Sequence, residues 1–191
     1  TSDGKARVAA VRSARTDRLD ALRVDDEPPL TTVSALTALR EVVPRETIVT
    51  ADAGGSRLWT LVAFPTYGPR EYVNVGSWAT MATGLPAAIG AQVANPGRSV
   101  VALAGEGGLM MSVHELQTLA AESLDVTVVV FNNNDYAVIS DEAERSYGVE
   151  RGAFQLNDSD PDFVAIAEGM GVHAERAVTV DEIRATMVDL L

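Results

Sequence analysis

The stretch VVALAGEGGLMMSVHELQTLAAESLDVTVVVFNNNDYA, residues 100–137, predicts the fold of this chain. An apolar run at 100–104 ends in Gly105-Glu106-Gly107-Gly108, and a helical pattern follows. A second apolar run, at 126–131, ends in three asparagines and Asp135. Because the carboxyl ends of parallel strands meet at one edge of a sheet, we expect the two loops to lie side by side. Their carboxylate and amide oxygens suit a hard cation, and their glycines suit a phosphate.

Strand and helix patterns alternate along the whole chain, which predicts an α/β fold with a mostly parallel central sheet flanked by helices on both faces. The expected strands are 47–51, 72–75, the two apolar runs above, and a short strand at 171–174. The expected helices are 5–23, 31–43, one through Trp59 and Val62, 81–93, 109–123, one from Pro161 capped by Asp160, and a last one capped by Thr179. Residues 140–160 are expected to form an acidic, irregular loop with some helix.

The proline-rich break at residues 25–29 divides the chain unequally. We expect residues 1–29 to be a linker or the tail of a preceding domain, and residues 30–191 to form one domain with its own core. The chain opens on Thr and closes on a helix with no strand after it, which predicts a fragment of a longer protein.

Composition excludes several classes of function. A net charge of −12 without a basic stripe argues against nucleic-acid binding, and no apolar run reaches the length of a membrane span. Lys5, the single lysine, suits neither a Walker A loop nor a pyridoxal-phosphate enzyme. The absence of cysteine is compatible with the cytoplasm. The acidic surface and scarce lysine favour a salt-loving host over the alternative, an ordinary acidic protein from a GC-rich genome.

Plainer interpretations of the two loops stay open at this point. The glycines at 105–108 could form only a tight turn between a strand and a helix, and the asparagines could form an Asx-rich turn. A dinucleotide site fits less well, because Met110 stands where the third glycine of that motif belongs. Asp125 also precedes its strand, whereas a ribose-binding acid should follow one.

The residues resemble a known family, the thiamine-diphosphate enzymes, and within it the acetolactate synthase group. That family's fingerprint is Gly-Asp-Gly, some 25–30 residues, and then Asn-Asn; here Gly105-Glu106-Gly107 is followed by Asn133, 27 residues after Glu106. The segments 48–59, 75–108, 114–120 and 157–171 are also similar to the family. The resemblance covers residues from about 30 to the end and implies the pyrophosphate-binding domain.

The resemblance implies a role for each matching position. Glu106, Asn133 and the backbone carbonyl of Asp135 would hold Mg²⁺. Ala79 would accept a hydrogen bond from the cofactor's pyrimidine ring through its carbonyl. Met81 would be the wedge that keeps the cofactor bent; the alternative for Met81 is a core residue at a helix start. The diphosphate would be bound by the backbone of Gly54, Gly55, Ser56, Gly107, Gly108, Tyr136 and Ala137.

The chain also departs from the family pattern. Glu106 replaces an aspartate, Ala137 replaces a glycine, and Val138-Ile139-Ser140-Asp141 replaces the Met and Trp that shape the substrate pocket of acetolactate synthases. The family's activating glutamate lies on another domain, so no catalytic residue is assigned here. This chain alone is therefore expected to be inactive.

The resemblance implies a carboligase or decarboxylase acting on a 2-oxo-acid substrate with thiamine diphosphate and Mg²⁺. It also implies a homodimer or homotetramer in which a pyrimidine-binding domain of the same or another subunit completes the site. FAD is possible in the full-length protein but not in this domain. The alternatives are a related decarboxylase of the benzoylformate or sulfopyruvate type, and a domain that keeps the fold without catalysis.

Overall fold

The structure, a computed structural model, describes residues 2–24, 28–150, 152–154 and 161–191. Within these residues the centre is a parallel sheet in the order β2-β1-β3-β4. Its strands are β1 (Ile48–Ala51), β2 (Tyr72–Asn74), β3 (Val100–Gly105) and β4 (Val126–Phe131). The predicted parallel sheet is confirmed, and β3 and β4 are neighbours, as their loops require.

Helices connect and flank these strands. They are α1 (Ser2–Asp20), α2 (Thr32–Val42), α3 (Gly55–Ala63), α4 (Gly84–Ala94), α5 (Glu106–Ser112), α6 (Glu115–Glu122), α7 (Ala137–Tyr147), α8 (Phe163–Gly169) and α9 (Val180–Leu190). A single 3-10 turn, Gly76–Trp78, follows β2. None of the helices in the described part of the chain has both the length and the apolar character needed to cross a bilayer.

The side chains of the sheet alternate between two cores, as the two-residue period of a strand requires. On one face Val49, Val101 and Leu103 pack with Leu36 and Leu39 of α2; Ala63 of α3 and Met187 of α9 join the same core. On the other face Val100 and Ala102 pack with Ala88 of α4. Leu116 and Leu119 of α6 and Ala167 of α8 extend that second side. Helices therefore cover both faces of the sheet, as predicted.

The first helix contributes little to these cores. Residues 3–18 of α1 are exposed, and Leu19 is the residue of this helix that packs against the first core. The chain is then tied back to α2 at Val24, whose N–H donates to Ser34 Oγ at 2.9 Å and whose carbonyl accepts from the same hydroxyl at 3.1 Å.

Three predicted helices differ from the observed ones. The helix expected at 109–123 is two helices: α5 already begins at Glu106, and a turn at Val113 and His114 separates it from α6. The helix expected from residue 81 begins at Gly84, because Ala82 has a φ of +69°, outside the right-handed helical region. The helix expected at Pro161 begins at Phe163, where Asp162 accepts a hydrogen bond from Ala165 N–H. The expected cap, Asp160, lies outside the described residues.

One other expectation was wrong, and another held in part. The predicted strand at 171–174 is absent, because Val172 N–H donates to Ala167 O and closes the end of α8 instead of pairing with a strand. Residues 140–160 were expected to be an irregular loop with some helix, and the helix extends through Tyr147. Its acidic residues form the solvated face of α7, while Ser140 and Ala143 are buried on the other face.

Candidate functional site

The Glu106 side chain joins the two loops that the sequence singles out. Glu106 follows β3 directly, is the first residue of α5 and is only 4% exposed. Its Oε1 accepts the Asn133 N–H at 3.2 Å and the Asp135 N–H at 2.9 Å. The predicted juxtaposition of the two loops is therefore observed, with the carboxylate between them.

The surroundings of this carboxylate have opposing effects on its charge. Burial raises the pKa of the Glu106 carboxyl, and the backbone N–H groups of Asp135, Asn133 and Asn134 oppose part of that rise. A buried carboxylate next to oxygen ligands gains most from a cation, since the cation offsets the desolvation of the charge.

Asn133 and Asp135 supply the remaining oxygens of this cluster. Asn133 Oδ1 accepts the Asp135 N–H at 3.2 Å, and Asp135 Oδ1 accepts the Ser140 hydroxyl of α7 at 2.5 Å. No group of three His, Cys, Asp or Glu side chains that could hold a metal occurs among the described residues. One carboxylate with amide and carbonyl oxygens fits Mg²⁺, which takes few protein ligands and fills its shell with phosphate and water.

Glycines line the same edge of the sheet. Gly107 and Gly108 are buried in the first turn of α5. Gly54, at φ +96°, precedes α3, and a β-carbon added to Gly55 would contact nothing within 4 Å. The Ser56 hydroxyl donates to Asp52 O at 3.2 Å, so Ser56 would bind an anion through its backbone N–H. Small residues leave room for a diphosphate to approach the backbone here.

The turn between the 3-10 turn and α4 carries Ala79 and Met81. Ala79 has a left-handed backbone at φ +48°, and Met81 is partly buried. Met81 precedes α4, which begins at Gly84.

All of the residues predicted from the sequence line one cleft at the carboxyl edge of the sheet. The cleft also reaches α9 and the exposed side of β4. It brings together Gly54, Gly55, Ser56, Ala79, Met81, Glu106, Gly107, Gly108, Asn133, Asp135, Tyr136 and Ala137.

One polar residue at this edge was not predicted. Asp52 follows β1 directly and is 1% exposed. Its carboxylate accepts the N–H groups of Ala53 at 2.8 Å, Ala82 at 3.1 Å and Thr83 at 3.2 Å. The signal was available in the sequence, since an acid directly after a buried strand is the same pattern that drew attention to Glu106.

Residues 52–191 match the family model described as thiamine pyrophosphate enzyme, C-terminal TPP binding domain. The chain is 35% identical over 147 residues to a probable acetolactate synthase large subunit of Methanocaldococcus jannaschii, covering 77% of this chain and 25% of that protein. It is 30% identical over 185 residues to a probable acetolactate synthase large subunit of Methanococcus aeolicus, covering 95% and 31%. The chain thus spans about a quarter to a third of the length of these relatives.

Solved structures share the fold at lower identity. A thiamine diphosphate-dependent 4-hydroxybenzoylformate decarboxylase of Rhodococcus jostii RHA1 superposes with a TM-score of 0.79 and 23% identity, covering 88% of this chain and 31% of that one. At such identity the likeness shows the fold alone, and it confirms the α/β architecture. The family model, matched over most of the chain, shows more: this chain belongs to the thiamine pyrophosphate enzymes and matches their C-terminal TPP-binding domain.

Proposed function

We propose that this chain binds the diphosphate of thiamine diphosphate through Mg²⁺ at the carboxyl edge of its sheet. The observation that supports this most directly is the Glu106 carboxylate, buried between the loop after β3 and the loop after β4. Glu106, the Asn133 amide and the Asp135 carbonyl would hold the metal. The backbone at Gly54, Gly55, Ser56, Gly107, Gly108, Tyr136 and Ala137 would hold the diphosphate.

The remaining positions would orient the cofactor. Ala79 would accept a hydrogen bond through its carbonyl, and the apolar Met81 would support the cofactor in a bent shape. When bound, thiamine diphosphate supplies the electron sink that decarboxylation of a 2-oxo acid requires. No residue of this chain is proposed as the activating acid, which we place on a pyrimidine-binding domain of the same or another subunit.

The whole protein is proposed to be a 2-oxo-acid carboligase or decarboxylase of the acetolactate synthase type. The names of the relatives support this class. Residues 138–141, on α7 beside the cleft, differ from the Met and Trp of acetolactate synthases, and for that reason a related decarboxylase remains the alternative.

The domain organisation, the oligomeric state and the cellular location of the protein are part of the same proposal. We place residues 1–29 in the tail of a preceding domain, residues 30–191 in the cofactor domain, and any FAD site outside it. A homodimer or homotetramer is supported by apolar residues exposed near the site, among them Trp78 at 93% exposure. The net charge of −12 and the absence of cysteine support a cytoplasmic protein of a salt-loving host.

Calorimetric titration of thiamine diphosphate into the intact protein, with Mg²⁺ and then with a chelator, tests the cofactor and the metal together. We expect saturable binding only with Mg²⁺. Glu106→Gln keeps the length of the side chain and removes its charge, so metal-dependent binding should weaken by about tenfold, or ~1.4 kcal/mol. Glu106→Asp should preserve or tighten it.

Glu122→Gln, on the exposed end of α6, is the matched control and should bind like the unaltered protein. Binding that ignores the chelator would contradict the metal site. No saturable binding in the unaltered protein would favour a domain that keeps the fold without catalysis.

A further inference from the structure

The Asp52 carboxylate is buried behind Gly108, a residue of the cleft lining, at a point where three segments meet. Its own N–H donates to Leu103 O at 2.9 Å, which continues the β1–β3 pairing by one residue and fixes the backbone of Asp52 to the sheet. With 1% exposure, its side chain is out of reach of solvent. The backbone of Asp52 is therefore fixed to the sheet, and its carboxylate can hold neighbouring segments in place.

The first segment held by Asp52 is the turn before α4. Asp52 Oδ2 accepts the Ala82 N–H at 3.1 Å, and Oδ1 accepts the Thr83 N–H at 3.2 Å. The Thr83 hydroxyl lies 3.4 Å from Oδ1 and donates to Thr80 O at 2.9 Å. Both acceptor oxygens of one carboxylate thus engage successive amides of the same turn.

That turn needs support from outside. Ala79 and Ala82 have φ angles of +48° and +69°, and a residue with a β-carbon adopts this region only at a cost in free energy. Two such residues within four positions persist where the surrounding structure holds them. The hydrogen bonds to Asp52 are the contacts that restrain the amide of Ala82 and of its neighbour Thr83.

The Asp52 side chain also lies against two glycines, Gly108 of α5 and Gly84 at the start of α4. A β-carbon on Gly108 would lie 2.2 Å from Asp52 Oδ2, and one on Gly84 would lie 2.9 Å from Asp52 Cβ. Asp52 therefore sets the distance between α5, which carries Gly107 and Gly108, and the turn that carries Ala79 and Met81.

We propose that Asp52 is a positioning residue that places Ala79 and Met81 in register with the glycines of α5. This inference rests on the proposed function, since those residues are the ones assigned to the two ends of thiamine diphosphate. Asp52 itself would not touch the cofactor. It would keep the turn in the shape that receives the ring end while the glycines receive the diphosphate end.

Hydrogen–deuterium exchange on the intact protein without ligand tests the positioning directly. In the unaltered protein the Ala82 and Thr83 amides should exchange slowly, since both donate to a buried acceptor. Asp52→Asn keeps the volume but turns an NH₂ group toward one of the two amides. Those amides should then exchange about tenfold faster, whereas the amides of residues 101–103 in β3 should not change. Free exchange at Ala82 and Thr83 in the unaltered protein would overturn the inference.

The affinity for two ligands is the second measurement. Thiamine diphosphate with Mg²⁺ should bind Asp52→Asn about tenfold more weakly, because only the fraction of molecules with an ordered turn is competent. Inorganic pyrophosphate with Mg²⁺ would use the metal and diphosphate positions but not the turn at Ala79 and Met81, so it should bind within about twofold of the unaltered protein. Asp125→Asn, an exposed aspartate outside the cleft, is the matched control.

The outcomes separate this inference from the proposed function. Equal weakening of both ligands, together with faster exchange in β3, would mean that Asp52 merely holds the fold, and unchanged thiamine diphosphate binding would also overturn the inference. No binding of thiamine diphosphate to the unaltered protein would instead refute the proposed function.

Discussion

At the scale of single residues, two buried carboxylates organise this molecule in the same way. Asp52 and Glu106 each follow a parallel strand directly, and each accepts backbone N–H groups from a neighbouring loop. A carboxylate in such a position orders a loop at the cost of its own desolvation. The flanking glycines made Glu106 predictable. Asp52 carries the same signal of an acid directly after a strand, but its partners Ala82 and Thr83 lie 30 and 31 residues away and show no motif, so its role does not follow from the sequence.

Gly108→Ala tests how tightly the floor of the cleft is packed. The added β-carbon would lie 2.2 Å from Asp52 Oδ2, and a buried side chain held by hydrogen bonds has little room to yield. We expect the free energy of unfolding to fall by about 1–3 kcal/mol, measured by urea denaturation.

Gly105→Ala is the matched control for this substitution. A β-carbon at Gly105 would meet nothing within 4 Å, and its φ of −80° suits any residue, so the change should stay within about 0.5 kcal/mol. Equal effects of the two substitutions would show that Asp52 does not confine Gly108.

At the scale of elements, side-chain caps marked two helix starts. The sequence offers Thr31 or Thr32 as one cap and Thr179 as another, and Thr31 and Thr179 accept the backbone N–H groups of Ser34 and Glu182. The acidic stretch at 140–160 predicts a loop with only some helix, since its charges hide that Ser140 and Ala143 lie on a buried face of α7. Capping depends on residues three apart, whereas the stability of a helix with a buried face depends on tertiary packing that no local signal shows.

The start of α9 carries a capping box whose strength should depend on pH. Glu182 accepts the N–H groups of Val178 at 2.7 Å and Thr179 at 3.0 Å, and these bonds hold its pKa below the ordinary value of 4.5. The carboxylate therefore contributes stability above that value, and the contribution is lost as the pH falls through the lowered pKa.

The free energy of unfolding of Glu182→Gln and of the unaltered protein should be measured at several pH values. We expect the variant to be less stable near neutrality and the difference to disappear in acid. Glu168→Gln, at an exposed position of α8, should show no such difference. Thr179→Ala should cost about 1 kcal/mol at any pH. A difference in the free energy of unfolding that stays constant until acid unfolds the protein would contradict an ionised cap.

At the scale of the whole molecule, apolar residues stay exposed beside the cleft. Leu58, Leu61 and Val62 lie on one face of α3 and are 47%, 57% and 44% exposed. Trp78 lies after β2 at the same edge of the sheet. An apolar group of this kind next to a functional cleft is typical of a contact with another domain or subunit.

Leu61→Asp should shift the intact protein toward smaller species in light scattering after gel filtration, since a charge would be buried in the proposed interface. Val93→Asp is the matched control, because Val93 is 64% exposed on α4, away from this face. We expect it to leave the mass unchanged. Equal masses for both variants and the unaltered protein would contradict an interface on α3.

The sequence by itself determined the parallel sheet, the pairing of the loops after β3 and β4, and the residues gathered at their edge. Those features follow from apolar periodicity and from glycine and acid placed directly after strands, all of which are local. Only the tertiary structure decided the split of α5 from α6, the helix α7, the left-handed turn at Ala79 and Ala82, and the role of Asp52. The turn and the role of Asp52 depend on hydrogen bonds between residues 30 and 31 positions apart, for which no single stretch of sequence carries a pattern.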